Sequence, residues 1–361
     1  MSSKTYKVAS LFAGIGGICL GFKNNGCKIV WANEKDKYAC DTYRHNFNGG
    51  QYLVEGDICG ITKTKIGENL HDNLRRINSI IPDFDILTAG FPCQSFSISG
   101  KRKGFEDERG NLFFDILKII KSKKPKAFLL ENVKNLKTHD NGFTFKVIKE
   151  QLEYLGYHIK SEILNSTTHG NIPQNRERIF IVGFNKKELC DKFNFPDPIQ
   201  LTNTISDLID FNDKKDEKYY YNKTKYYNNL KLEITKQNTL YQIRRGQYIR
   251  ENKNNVCPTL TANMGTGGHN VPLILDNYDI RKLTPEECLL FQGFNTKNSS
   301  FKYTFPKYRM DKNGKLIPYA DSHKYKQIGN CVTVTVIERI AHNIIDILNF
   351  YDSNCINNKK L

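Results

Sequence analysis

Between Lys7 and Phe184, short apolar runs alternate with stretches in which apolar residues recur every three or four positions. Apolar runs bounded by turn-forming residues read as strands, and the three-to-four recurrence reads as helix. Strands are predicted at 8–12, 29–33, 52–55, 84–89, 127–130, 158–164 and 179–184. Between the fourth and fifth, Leu112, Phe113, Ile116, Leu117 and Ile120 share one helical face and predict a helix laid on a sheet. Such alternation gives β-α-β units and a mostly parallel sheet. The last two strands are joined by a loop with no room for a crossover helix beyond 168–174, so they are expected as an antiparallel pair that makes the sheet mixed at one edge.

The pattern weakens after Asn185. As far as about 255 the chain is rich in Tyr, Asn and Lys, as in Tyr219-Tyr220-Tyr221-Asn222-Lys223, which marks a separate lobe or a long insertion. A glycine-rich stretch, Met264-Gly265-Thr266-Gly267-Gly268-His269, follows, and then Leu283-Thr284-Pro285-Glu286-Glu287 reads as a helix start capped by Thr284. Val334, Ile337, Ile340, Ala341, Ile344, Ile345 and Leu348 form a helical apolar stripe expected to pack back on the first lobe. The expected fold class is therefore α/β, with a main lobe over 1–185 completed by 322–361 and a smaller one within 186–321.

Composition adds a partner class without deciding it. The chain has 361 residues and 39% hydrophobic content, enough for a sizeable core and a second lobe. Its 54 Lys and Arg against 38 Asp and Glu leave a formal charge of +16, which attracts a polyanion such as nucleic acid. A solvated lysine-rich surface would give the same count. Ten cysteines without a C-x-x-C pair or a His cluster at ligand spacing predict no metal site and no disulfide framework. No apolar stretch approaches bilayer length, so no membrane association is expected, and the chain reads as a reduced, cytoplasmic protein.

The candidate chemistry gathers at strand ends. Phe12-Ala13-Gly14-Ile15-Gly16-Gly17 lies where the first strand turns into the first helix, where glycines let backbone approach a ligand. The third glycine of a dinucleotide fingerprint would fall at Cys19, which tells against a nicotinamide cofactor. A glycine turn alone can serve helix–strand packing. Glu34 ends the second strand, where an acid takes ribose hydroxyls in such folds, and Asp57 follows the third. Gly14, Glu34, Asp57, Pro92-Cys93 and Glu131 all fall just beyond the carboxyl ends of successive strands. In a parallel sheet those ends share one edge, the edge where ligands bind, so a nucleoside cofactor beside a cysteine and a glutamate is expected. Most of the cysteines read as small buried hydrophobes. Cys93 differs because Gln94-Ser95-Phe96-Ser97-Ile98-Ser99-Gly100-Lys101-Arg102-Lys103-Gly104 follows it, a polar, basic loop suited to closing on phosphates.

In order and spacing, Phe12 to Gly17, Gly90 to Ser97, Glu131-Asn132-Val133, Gln174-Asn175-Arg176-Glu177-Arg178, Arg281 to Phe294 and Gln327-Ile328-Gly329-Asn330 resemble the motifs of the bacterial cytosine-5 DNA methyltransferases. The resemblance spans nearly the whole chain except roughly 186–275. It implies a Rossmann-like S-adenosylmethionine-dependent methyltransferase lobe with a small target-recognition lobe across a DNA-sized cleft. Cys93 is then the nucleophile that adds to carbon 6 of cytosine, and Glu131 the acid that donates to ring nitrogen 3. Arg176 would contact the base, while Arg178 and Gln174 hold the site together, with strand-bracing salt bridges an equal reading for Arg178. Phe12, Gly14, Ile15, Glu34, Asp57, Ile58, Pro92, Leu112, Asn330 and Val332 match the family's cofactor contacts. Lys35 follows Glu34 where some relatives carry an aromatic residue that stacks on adenine, which implies weaker cofactor binding. Cys331 stands where Ser or Ala is usual.

A cytosine in a duplex must leave the stack to be attacked, so double-stranded DNA with a short palindromic target is the implied substrate. Ser97, Ser99, Lys101, Arg102, Lys103 and Arg109 would meet the DNA from the loop, and Arg244, Arg245 and Arg250 from the recognition lobe, each as a phosphate contact sooner than a base reader. A monomer is expected because a cytosine flipper needs only one active site, water is expected to accept the carbon-5 proton, and functional pairing with a restriction endonuclease is expected. Two alternatives stand: a cytosine-5 methyltransferase acting on transfer RNA, against which the long insert after Asn185 speaks, and a non-catalytic DNA-binding regulator, against which the presence of Cys93, Glu131 and Arg176 speaks.

Overall fold

The computed structural model describes residues 4–92, 112–244, 248–265, 270–296, 299 and 301–357. Its centre is a seven-stranded sheet. In chain order the strands are β1 (Lys7–Leu11), β2 (Lys28–Glu34), β3 (Leu53–Glu55), β4 (Ile86–Gly90), β5 (Ala127–Val133), β6 (His158–Asn165) and β7 (Glu177–Phe184), arranged β3-β2-β1-β4-β5-β7-β6. The first five are parallel, and β7 runs antiparallel to both β5 and β6. Each strand expected from the apolar runs is present, and the antiparallel pair stands at the edge.

Alternation along the strands divides the core into two layers. Val8, Leu129 and Val182 point to one face, where α1 (Gly17–Asn24), α2 (Lys37–Asn46) and the C-terminal helix pack; Ala9, Leu11, Phe128, Leu130 and Ile181 point to the other. That second face is covered by α3 (Leu70–Ile80), α4 (Leu112–Lys123) and α5 (Phe143–Tyr154). The strand residues are apolar on both sides because both faces are covered. Each fully buried Leu or Ile contributes about 1.5–3 kcal/mol relative to exposure.

Helix α4 departs from the amphipathic expectation. Besides its apolar stripe it buries Asp115 and Lys118, because α3 and the turn Cys59–Thr62 also pack against it.

Among the described residues of 186–321, a small sheet has a core of its own. It runs β8 (Tyr241–Arg244), β9 (Tyr248–Glu251), β10 (Val271–Leu275) and β11 (Ile280–Lys282) in the antiparallel order β9-β8-β10-β11. Tyr241, Val271, Leu273 and Ile280 pack there on Leu230 and Ile234. Ile205, Ile209, Leu260, Ile274, Leu283 and Phe291 belong instead to the main core, so this stretch leaves the first lobe and re-enters it more than once.

The return is ordered. Helix α6 (Pro285–Leu290) has the expected cap in full: Glu287 N donates to Thr284 Oγ1 at 3.1 Å and Thr284 N donates to the Glu287 carboxylate at 2.8 Å. Helices α7 (Asp321–Asn330) and α8 (Val334–Asn357) follow, and the stripe from Val334 to Leu348 lies buried against the main lobe. No helix among the described residues is long and apolar enough to cross a membrane.

Candidate active site

At the carboxyl edge of the parallel strands lies a cavity of about 520 Å³, within the size range of small-molecule sites. All ten cofactor candidates line it: Phe12, Gly14, Ile15, Glu34, Asp57, Ile58, Pro92, Leu112, Asn330 and Val332. The structure thus brings together residues spread over 321 positions of chain, Gly14, Glu34, Asp57 and Pro92 as the shared strand edge predicts and the rest as the resemblance implies.

The first turn is shaped for a ligand. Phe12 sits at φ +52°, a conformation costing on the order of 1–3 kcal/mol for a bulky residue. It is held there because Ala13 N donates to the Asn33 carbonyl at 3.0 Å and Gly14 N to Glu34 Oε2 at 2.8 Å. Gly14 has φ +54°, and a Cβ added to it would meet no protein atom within 4 Å, so the space it leaves open belongs to the cavity.

Two acids stand beside that turn. Glu34 Oε1 accepts from Lys35 N and Asp36 N at 2.8 Å each, which fixes the carboxylate while Oε2 keeps lone-pair capacity facing the cavity. Asn33 Nδ2 ties the ends of β2 and β3 by donating to the carbonyls of Val54 and Gly56 at 3.0 and 2.9 Å. Asp57 Oδ2 accepts from Lys35 Nζ at 2.9 Å and Oδ1 from Cys59 N at 3.0 Å; these bonds hold its pKa below the ordinary carboxylate value, the lysine contributing most. Lys35, at the position where an aromatic was considered, therefore braces Asp57. Apolar walls from Phe12, Ile15, Ile58, Leu112 and Val332 with carboxylates at one end suit a nucleoside, and the residues fit S-adenosylmethionine.

The catalytic candidates occupy the adjoining part of the same cavity. Gly90 pairs directly with Glu131 across β4 and β5, and its lack of a side chain leaves room for the Glu131 carboxylate, whose Oε2 lies 3.3 Å from where a Cβ would be. Because β7 runs antiparallel, its amino end reaches the same edge: Arg178 pairs in register with Val133, and its Nε lies 3.2 Å from Glu131 Oε1. Burial raises the Glu131 pKa, with Arg178 and then Arg176 pulling the other way.

Arg176 is buried, and its guanidinium is fixed by three backbone carbonyls. It donates to Leu260 O at 2.9 Å, Gly329 O at 3.1 Å and Cys331 O. Burial, and secondarily Arg178, pull its pKa downward. Its Nε–H is buried and has no acceptor among the described residues. Gly329 permits this junction: a Cβ there would lie 2.2 Å from Ala262 N, so the two backbones approach too closely for any other residue. Gln174 does not line the cavity. Its amide donates to Phe291 O and accepts from Leu260 N at 3.0 Å, which places it in the joint between the lobes.

Asn132 received no role from the sequence, yet its Nδ2 donates to Phe91 O at 2.9 Å and so anchors the segment that enters Pro92. Arg281 received none either; it is fully buried, with Nε 2.6 Å from Asp276 Oδ2 and two nitrogens 2.8 Å from the Glu287 carboxylate. Neither could be found from periodicity, because the partners lie on other elements.

Of the DNA candidates, Arg244 and Arg250 are exposed on one face of the small sheet, since Arg250 pairs with Gln242 and Tyr248 with Arg244. Cys93, Ser97, Ser99, Lys101, Arg102, Lys103, Arg109 and Arg245 lie outside the described residues.

The family model for C-5 cytosine-specific DNA methylases matches residues 6–346. The chain belongs to this family. A curated relative, the Type II methyltransferase M.Bsp6I of Bacillus sp. (strain RFL6), is 52% identical over 94% of this chain and 98% of its own. The Type II methyltransferase M.HhaI of Haemophilus parahaemolyticus is 37% identical over 94% of each chain. Among solved structures, the Dnmt2 methyltransferase of S. pombe superposes with a TM-score of 0.65 at 17% identity, covering 96% of this chain and all of that one. At that identity the likeness carries the fold alone. The methyltransferase acts on carbon 5 of cytosine in DNA with S-adenosylmethionine as methyl donor.

Proposed function

We propose that the methyltransferase works through a covalent adduct between Cys93 and a cytosine turned out of a DNA duplex, with Glu131 as the proton donor. The observation that carries this reading is the confluence at one edge. Glu131, Arg178 and Arg176 share a cavity with the ten cofactor candidates, and Pro92, on its lining, leads the chain into Cys93.

The Cys93 thiolate adds to carbon 6, forming a C–S bond, and the displaced electron pair is accepted at nitrogen 3, which takes a proton from Glu131. Carbon 5 is then an enamine carbon and nucleophilic. S-adenosylmethionine, held by Glu34, Asp57 and the Phe12–Ile15 turn, supplies the electrophilic methyl group. Water takes the carbon-5 proton, the 5,6 double bond re-forms as the thiolate leaves, and nitrogen 3 returns its proton to Glu131. Arg176, on the cavity lining, lies where it can support the extruded base, and Arg178 keeps the Glu131 carboxyl in place.

Residues 1–185 with 322–361 form the catalytic domain in this reading, and 186–321 the target-recognition domain and hinge. The exposed face of Arg244, Tyr248 and Arg250 meets the duplex. The Type II designation of the curated relatives supports pairing with a restriction endonuclease that reads the same site. One flipped base needs one active site, so the enzyme acts as a monomer in the cytoplasm.

The test offers labelled S-adenosylmethionine with duplex DNA and, separately, with bulk transfer RNA. Label recovered from DNA as 5-methylcytosine is expected. Label in RNA alone would overturn the reading in favour of an RNA substrate.

A further inference from the structure

Between α6 and α7 the chain forms a two-stranded hairpin, β12 (Tyr308–Met310) and β13 (Leu316–Pro318). Across the ladder Tyr308 pairs with Pro318 and Met310 with Leu316. Residues directly opposite or two apart share a face, so these four lie together. That face is open: Tyr308 is 56% exposed, Met310 63% and Leu316 57%. The hairpin is also basic. Lys307, Lys312 and Lys315 are exposed, and none of their ammoniums has an acid partner among the described residues. Its one acid, Asp311, is taken up by the turn, where Oδ1 accepts from Asn313 N at 2.8 Å and from Lys315 N at 2.9 Å.

The other face holds the hairpin beside the cofactor cavity. The Arg309 guanidinium lies 4.7 Å from the Tyr38 ring centroid, and that ring stacks on His323 of α7 at 3.6 Å. Tyr319, at the foot of β13, donates through Oη to the Tyr38 carbonyl, and its N donates to Lys307 O at 2.9 Å. Tyr38 stands in the first turn of α2, whose cap Asp36 lines the cavity and lies 2.8 Å from Nζ of Lys326, a lining residue on α7. Asp321, the first residue of α7, accepts from Tyr219 Oη and pairs with Lys218 Nζ, both at 2.8 Å. The hairpin is therefore rooted where the stretch after Asn185 meets the main lobe, at the edge of the sheet that carries the active site.

We propose that this hairpin is a further DNA-contacting surface, separate from the small sheet, that grips the sugar–phosphate backbone of the duplex beyond the flipped base. Charge selects the partner: clustered, unpaired ammoniums suit duplex DNA, which carries one negative charge per about 1.7 Å of its axis. A second copy of this chain fits less well. Four side chains fall short of the roughly 20–30 residues a side of a stable interface, and each copy would set its lysines against the other's. Phosphate contacts fix the register of a duplex without reading its sequence, so the hairpin raises affinity and leaves the target unchanged. This rests on the reading in which the duplex lies over the cavity.

The test measures, as a function of salt and with S-adenosylhomocysteine present, binding of a duplex carrying the site that bisulfite sequencing finds methylated. Wild type is compared with a hairpin variant, Lys307→Gln with Lys312→Gln and Lys315→Gln. A control, Lys7→Gln with Lys28→Gln and Lys124→Gln, makes the same charge change at the amino ends of β1, β2 and β5, the opposite edge of the sheet. All six side chains are exposed, so both variants should fold. The hairpin variant should lose about 2–3 from the slope of log affinity against log salt and bind about tenfold or more weakly at ~0.1 M salt. Its kcat at saturating DNA, its KM for S-adenosylmethionine and the sequence it methylates should not change. The control should stay within about twofold of wild type. Tyr308→Ser with Met310→Ser should weaken duplex binding about threefold or more while keeping the slope. A hairpin variant equal to wild type in slope and affinity would overturn the inference. So would equal weakening by the control, or a serine variant that loses a dimer in sedimentation with duplex binding intact. A wild type that neither binds nor methylates the duplex would bring down the underlying reading; one that does both, beside an unchanged hairpin variant, would bring down this inference alone.

Discussion

Glu131→Gln is expected to lower kcat for methyl transfer by about 10²–10⁴-fold, the usual worth of a positioned proton donor, with cofactor binding preserved within a few-fold. Glutamine keeps the shape and can still accept from Arg178 Nε through its carbonyl, so the cavity should stay intact. It offers nitrogen 3 an N–H that it cannot give up. The pH profile provides a second reading. Burial raises the Glu131 pKa, so the proton is present at low pH and lost as pH rises through that value, while the Cys93 thiolate becomes more abundant in the same direction. The wild-type profile of kcat/KM should therefore be bell-shaped, and the variant should lack the falling alkaline limb. A glutamine variant with undiminished turnover would remove Glu131 from the reaction.

Arg281→Ala is expected to destabilise the folded protein by about 3–5 kcal/mol, measured as a shift of the denaturant midpoint. The guanidinium is the shared partner of Asp276 and Glu287, and all three are buried. Removing it leaves two carboxylates in a low-dielectric interior without their shared cation, although Asp276 keeps Tyr220 Oη and the amides of Tyr278 and Asp279, and Glu287 keeps the Thr284 amide with Lys215 Nζ at 3.9 Å. The partners lie on opposite sides of the passage from the small sheet into α6, so the loss acts where the second lobe re-enters the main core. Adding Asp276→Asn and Glu287→Gln to Arg281→Met should restore much of the loss, because the uncompensated charge goes with them. A midpoint unchanged in Arg281→Ala would show that the triad is not coupled to folding.

Much of this site could be anticipated because strand ends are readable. A run such as Ala127–Leu130 must be buried on both faces, and a polar residue straight after it, Glu131, must then lie at the sheet edge. The same reasoning placed Gly14, Glu34 and Asp57, whereas Arg176 and Arg178 were named from the resemblance alone, and it is the reversal of β7 that brings them to that edge. What escaped depends on contacts without local periodicity. Arg176 is held by carbonyls 84, 153 and 155 positions away, and Gln174 by residues of the joint between the lobes. Asp115 and Lys118 lie off the apolar stripe of α4 and are nevertheless buried, because the elements that pack on them leave no mark in the sequence of the helix itself. The stretch after Asn185 was hardest, since its buried residues are divided between two cores and neither repeats at a regular interval.

The most direct test of the covalent mechanism uses a duplex bearing 5-fluorocytosine at the target position. Fluorine cannot leave carbon 5 as a proton does, so the reaction should stop once the methyl group has been transferred and before Cys93 is released. Incubation with S-adenosylmethionine, denaturation and mass measurement should show the enzyme joined to the methylated strand through the peptide containing Cys93, and no such species for Cys93→Ser. Full methyl transfer to ordinary duplex DNA by Cys93→Ser, or an adduct mapped to another residue, would contradict the mechanism.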